Sequence, residues 1–350
     1  MGGGEKCSTI FNNPPNMRRS FRRWFRSCSI AFPAVLFLYV TVFHNGFLFA
    51  AITYGTGPLD DVIANSNKGF RKLLEEGLLE RDRYNGTMPV HRLPQSIIIG
   101  ARKCGTRALI EFLELHPQIN SPTDEMHFFS NDTNYKMGLD WYRKKMPLSY
   151  PDQITIEKTP RYFISKISPS RVHRMNSSVK LIAILRHPTT RVISDYTQIC
   201  ANKMAKNETA EAFEYLALNR QTGHINPEYR AIKISMYHLH IARWLELFPL
   251  KQLHIVDGDN LIVNPLEEIR KVETFLNLPH RISKDSLYFN NTRGFYCMRK
   301  TKNGPEKCLG ANKGRKHANI SEKIIHKLDK FFKPHNERLF KLIKRRFRWR

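Results

Sequence analysis

The residues best suited to chemistry crowd into Gly100-Ala-Arg-Lys-Cys-Gly-Thr-Arg107, which follows the apolar run Ser96-Ile-Ile-Ile and leads into Leu109, Phe112 and Leu113 at helical spacing. That order predicts a strand, a turn and a helix. The glycines let the backbone bend sharply, so N–H groups at the helix start converge where the helix dipole also favours an anion. Gly100-x-x-x-x-Gly105-Thr106 has the spacing of a nucleotide-binding P-loop, except that the lysine lies inside the turn, at Lys103. This displacement argues against an ordinary NTPase and against a nucleotide kinase that needs ATP and Mg²⁺. The glycines alone suit a plain structural crossover equally well. Arg102, Lys103, Thr106 and Arg107 on one tight turn do not suit packing; they suit a phosphate or something shaped like one.

Several elements must position such a turn. Apolar strands are expected at 97–100, 154–157, 180–186 and 253–257, with helices running to Leu115, through Ile199 and over 265–276. The alternation predicts an α/β fold in which a central parallel sheet is covered by helices on both faces. Ligands on such sheets sit at the C-terminal strand ends, and there fall Arg102, Lys103, Lys158, Arg186 and His187.

The chain has 350 residues, 41% of them hydrophobic, enough for one large α/β domain with appendages. Its net charge of +26 gathers polyanions, whether nucleic acid, acidic lipid or sulfated polysaccharide. Cys7, Cys28, Cys104, Cys200, Cys297 and Cys308 show no CxxC spacing, which argues against zinc.

Arginines crowd residues 1–26, an expected cytoplasmic tail, and 27–59 holds no Asp, Glu, Lys or Arg. Residues 27–54 are expected to be a transmembrane signal-anchor, because about 20 apolar residues suffice to cross a bilayer. Positive charge on the N-terminal side predicts a type II, single-pass protein with the remainder translocated. Residues 55–92 then form a lumenal stem and 93–350 the catalytic domain. Translocation makes Asn85, Asn131, Asn176, Asn207, Asn290 and Asn319 candidate glycosylation sites, and it disfavours a nucleic-acid partner. It also permits a short disulfide hairpin between Cys297 and Cys308. Cys104 and Cys200 read as free, buried thiols. The cationic C-terminal segment is expected to form a helix with Ile324, Ile325, Leu328, Phe331 and Phe332 inward, its lysines serving as a solvated face, a polyanion track, or both.

The turn is one of a series: Glu125-Met-His-Phe-Phe129, Glu157-Lys-Thr-Pro160, Arg186-His-Pro188, Ser194-Asp-Tyr196, Gly294-Phe-Tyr-Cys297 and Lys313-Gly-Arg315. Together, from about Pro94 onward, these resemble the heparan sulfate glucosamine 3-O-sulfotransferase family, whose fold is P-loop-like. The resemblance implies 3′-phosphoadenosine 5′-phosphosulfate (PAPS) as co-substrate, no metal requirement, heparan sulfate as acceptor, a Golgi location and the Cys297–Cys308 bridge. It assigns Arg102, Lys103, Cys104, Gly105, Thr106, Arg186 and Ser194 to the donor, with Lys313, Gly314, Arg315, Lys316 and His317 as a closing loop and Tyr296 as a weaker candidate. Lys103 would stabilise charge on the bridging oxygen, the largest kind of catalytic effect. From spacing alone Arg186 serves as well in an ion pair beside its helix.

An acceptor hydroxyl is a poor nucleophile and needs a base. Glu125 is the candidate, with Phe128 and Phe129 burying one face and leaving Glu125 and His127 in a cleft whose apolar surround would raise the carboxyl's pKa. By residue type alone Glu125 can as well cap its segment and His127 pack in the core. The resemblance implies that Glu125 is the base, that His127 assists, that Lys158 contacts substrate, and that 125–131 (Glu125, Met126, His127, Phe128, Phe129, Ser130, Asn131) and 158–161 (Lys158, Thr159, Pro160, Arg161) line the acceptor site. Three departures stand out. Ser130 replaces an aspartate thought to support the base, although Asp132 is close; Cys104 replaces a glycine; Arg161 replaces a small residue. They bear on acceptor choice and rate, and they motivate an alternative, a non-catalytic heparan sulfate binder that keeps the fold. A sulfotransferase acting on another glycan position is a further alternative.

Overall fold

The computed structural model describes residues 87–299, 304–310 and 314–349. The expected tail, membrane anchor and most of the stem, with Asn85 and Lys313, lie outside the described residues. Among the described residues no helix is long and apolar enough to cross a membrane.

The chain forms β1 (Ser96–Gly100), α1 (Thr106–Leu113), β2 (Ile119–Asn120), β3 (Ile154–Lys158), β4 (Lys180–Leu185), α2 (Pro188–Met204), α3 (Arg230–Ser235), α4 (Tyr237–Leu245), β5 (Leu253–Asp257) and α5 (Pro265–Leu276). The five strands make one parallel sheet in the order β2-β3-β1-β4-β5. All five residues of β1 and residues 181–185 of β4 are buried. Side chains alternate between faces along a strand, so unbroken burial means that helices cover both faces. Pro188 and Pro265 stand at the starts of α2 and α5, where a missing N–H deprives the helix of nothing.

Because the strands are parallel, Gly100, Lys158, Leu185 and Asp257 end at one edge. Strand order also reverses there, since the chain passes from β3 on one side of β1 to β4 on the other, opening the crevice in which such sheets hold ligands. The pairing of β1 with β4 is irregular between Ile98 and Gly100, where the turn departs. Gly100 has φ 147°, and a Cβ there would lie 2.6 Å from the Phe163 Cβ and 2.8 Å from the Pro160 oxygen. Only glycine lets the short helix Pro160–Ile164 pack so closely against the strand end.

A small antiparallel sheet, β6 (Leu287–Asn290), β7 (Phe295–Arg299) and β8 (Glu306–Lys307), follows, and then α6 (Glu322–Ile343). The Cys297–Cys308 disulfide is formed. Cys104 is a free buried thiol, whereas Cys200, expected to be free, is disulfide-bonded. In α6, Ile324, Leu328 and Phe332 face inward with Leu339 and Ile343; Ile325 and Phe331 are only partly covered. The helix expected to reach Leu115 stops at Leu113, and α2 continues past Ile199 to Met204.

Candidate active site

The crevice is a cleft of about 650 Å³ lined, among the described residues, by eight lysines and arginines and a single carboxylate, Glu125. Such an imbalance concentrates anions and selects against cations. Its floor is the glycine turn. Lys103 and Gly105 both have positive φ, 71° and 109°, and α1 starts at Gly105 with no side-chain cap. The first-turn N–H groups are therefore available to a ligand, with the Thr106 hydroxyl beside them. This suits a phosphate or phosphosulfate.

α2 holds the turn in place. Buried Arg191 donates to the Arg102 carbonyl at 3.2 Å and to Asp195 at 3.0 Å, and Asp195 pairs with the Arg102 guanidinium at 3.2 Å. Lys103 Nζ donates to Gln198 Oε1 at 3.3 Å, and Arg315 donates to the same oxygen at 2.7 Å. One amide oxygen thus joins the turn to the loop that carries Gly314 and Arg315. His317 lies in that loop, and its pKa is lowered, by burial first and then by the positive charges of Arg186 and Lys103. A neutral imidazole is what the fold prefers at this cationic spot.

Arg186 follows β4 and donates through Nε to Asp259 at 3.1 Å, so the ion pair foreseen as an alternative does form, while the side chain still lines the cleft. Ser194, Tyr296 and Gly314 line it too. The Cys104 thiol does not: it is 2% exposed and lies 3.6 Å from the Tyr237 hydroxyl, and burial pushes its pKa up. Only its backbone faces the cleft, so replacing a glycine there leaves the anion cradle intact.

Across from the turn stands Glu125. Its Oε1 accepts from Lys158 Nζ at 2.6 Å and its Oε2 lies 3.6 Å from His127 Nε2. The Glu125 and His127 side chains are 38% and 41% exposed, open to an incoming hydroxyl, and Lys158 fixes the carboxylate's direction from below. The expected apolar surround of Glu125 is absent; a carboxyl so enclosed does exist one layer down, at Glu157, which burial pushes up to about 7.

Residues 93–343 match the sulfotransferase domain family. The chain is 53% identical, over 74% of its own length and 75% of the relative's, to heparan sulfate glucosamine 3-O-sulfotransferase 5 of Mus musculus, and the human protein of that name matches equally. The chain belongs to this 3-O-sulfotransferase family. Heparan sulfate glucosamine 3-O-sulfotransferase 3B1 of Mus musculus is 42% identical over 74% of the chain and 65% of its own length. In fold, the chain resembles a solved sulfotransferase from Alicyclobacillus acidocaldarius, with TM-score 0.54 and 22% identity, covering 73% of this chain and 98% of that one.

Seen as a sulfotransferase, the chain needs several corrections to its expected site. Phe128 and Phe129 are fully buried and pack among Tyr142 and Tyr162, behind the wall that carries Glu125 and His127 and not on the cleft surface. Thr159 is also fully buried. Asn131 caps the helix 132–136 by accepting from the N–H groups of Thr133 and Asn134, and Met126 packs against the core. Ser130 turns back to the His127 carbonyl at 3.4 Å. Asp132 does not stand in for the missing aspartate: it pairs with Arg171 at 2.5 Å. Lys316 is exposed outside the cleft, whereas Pro160 and Arg161 line it. Residue types and spacing gave no notice of Gln198, Arg230 or Arg293, which also line the cleft. Gln198 was findable, four residues after Ser194 and hence on the same face of α2. Among the described residues no group of His, Cys, Asp and Glu is placed to hold a metal ion.

Proposed function

We propose that this sulfotransferase moves a sulfuryl group from PAPS to the 3-hydroxyl of glucosamine residues in heparan sulfate, with Glu125 as general base. The supporting observation is the carboxylate of Glu125, held by Lys158 in the same cleft as an uncapped helix start and a lysine-bearing turn. The residues suit a donor with two separated anions: the turn and Thr106 for one, Arg186 and Ser194 for the other.

The donor supplies a sulfuryl group attached to a phosphate leaving group. Glu125 takes the proton from the acceptor hydroxyl as its oxygen attacks, with the assistance of His127. Lys103, which lines the same cleft as Glu125, meets the negative charge that grows on the departing phosphate oxygen. Arg161 and Arg230, exposed on the cleft wall, add positive charge for a polyanionic acceptor. The relatives named for heparan sulfate support this acceptor. The same reading has a type II protein of the Golgi membrane with its catalytic domain lumenal, supported by the N-terminal arginines and the uncharged run that follows them; Asn176, Asn207 and Asn319 are exposed and open to glycans.

The full chain in detergent, given labelled PAPS and heparan sulfate, should yield 3-O-sulfated disaccharides on digestion. Their absence from a folded preparation would refute the assignment. A non-catalytic binder would instead hold heparan sulfate unchanged by Glu125→Gln and show no turnover to begin with.

A further inference from the structure

Beneath the base lies a carboxyl for which this scheme has no use. Glu157, in β3, is completely buried. One of its oxygens accepts from the Tyr142 hydroxyl at 3.1 Å and the other from the Thr159 hydroxyl; the Met126 backbone nearby helps to offset the rise that burial gives its pKa. Thr159 has one hydroxyl hydrogen. With that hydrogen directed at Glu157, the Thr159 oxygen is left to accept the His127 N–H at 3.3 Å. Between them, Lys158 holds the Glu125 carboxylate at 2.6 Å. Lys158 and Thr159, at the end of β3, therefore grip Glu125 and His127 in the segment that carries the base, and Glu157 in turn holds Thr159. That segment needs holding: His127 sits at φ 52°, a left-handed conformation that residues with side chains disfavour. Ser130 returns its hydroxyl to the His127 carbonyl and Asp132 pairs with Arg171, so neither is bonded to the Glu125 carboxylate.

We propose that Glu157 is a positioning residue for sulfuryl transfer: its buried carboxyl fixes the Thr159 hydroxyl, and through it keeps His127, and with it the neighbouring Glu125, aimed at the donor turn. The role rests on Glu125 being the base. The other titratable groups in the enclosure are Tyr142 and Tyr162, both pushed well above the usual tyrosine range, chiefly by burial, so they remain protonated when Glu157 titrates. Lys158, the next residue along the chain, is turned to Glu125.

The test uses the full chain carrying Glu157→Gln, Thr159→Val or both. Turnover, KM for heparan sulfate, binding of 3′-phosphoadenosine 5′-phosphate, and the labelled His127 ring resonances by NMR are measured. The expected result is a kcat lower by roughly 10- to 100-fold in each single variant, with KM and nucleotide affinity within about twofold, and a double variant no worse than the singles. The limb of the pH–rate profile near neutrality should flatten in Glu157→Gln, and the His127 resonances should move. Unchanged kcat in the folded variants, an equal loss of nucleotide binding, or losses that multiply in the double variant would overturn the proposal. Should the wild-type protein make no 3-O-sulfated product, the base assignment falls separately, and unmoved His127 resonances would then refute the positioning role by themselves. Thr159→Val keeps the carboxyl and the core volume, so it decides the matter if Glu157→Gln fails to fold.

Discussion

Glu157→Gln should alter how stability depends on pH, and the size follows from the site. Burial is the leading cause of the raised pKa, partly opposed by hydrogen bonds from Thr159, Tyr142 and Met126, and the result is about 7 against an ordinary 4.5. A raised acid pKa means that the folded state binds this proton more tightly than the unfolded chain does. The associated stability is fully present below about pH 4.5 and is lost as the pH climbs to about 7, then stays constant. The difference of roughly 2.5 pKa units corresponds to about 3 kcal/mol, or roughly 6 °C in Tm for a domain of this size. Thermal unfolding of wild type and Glu157→Gln at pH 5 and pH 8 measures it, because every other titrating group is common to both proteins. Because part of the effect is already lost at pH 5, the wild type should lose roughly 5 °C relative to the variant between the two pH values. Parallel curves would refute the reasoning by showing that Glu157 is ionised, or solvated, throughout.

Other outcomes follow from the same geometry. Glu125→Gln should lower kcat by roughly 10²- to 10⁴-fold while 3′-phosphoadenosine 5′-phosphate still binds, checked by turnover and calorimetry. Lys103→Ala should cost about 10²- to 10³-fold in kcat, measured with saturating donor. His317 should show a higher imidazole pKa by NMR when that nucleotide binds, because its phosphates offset the Arg186 and Lys103 charges that hold it down. Replacing Cys297 and Cys308 by serine opens a loop of 11 residues; a loss of about 3 kcal/mol is expected in denaturant unfolding, with weaker nucleotide binding because Tyr296 adjoins the bridge.

Much of the site was legible because its signals are local. The glycine turn, the wholly apolar strands and the proline-led helices each declare themselves within a few residues, and parallel strands then bring the charged ends together. The pairings that decide what each side chain does span the chain. Arg186 meets Asp259 across 73 positions and Lys103 meets Gln198 across 95; no periodicity carries such information. β2 has two residues, too few for any pattern. The direction of Cys104 depended on Tyr237 waiting in the core, and the depth of Phe128 and Phe129 on the aromatic layer formed by Tyr142 and Tyr162. The expectation of an enclosed carboxyl in this region was sound in chemistry but attached to Glu125, when the aromatic layer encloses Glu157.

Arg107 lies on α1, one residue beyond Thr106, and donates both to Glu111 at 2.6 Å and to the Thr123 carbonyl at 3.0 Å. One guanidinium therefore couples the helix that follows the glycine turn to the stretch of chain that leads to Glu125. Under the proposed function, a change at this position should disturb both walls of the cleft together, since they share a single mechanical strut.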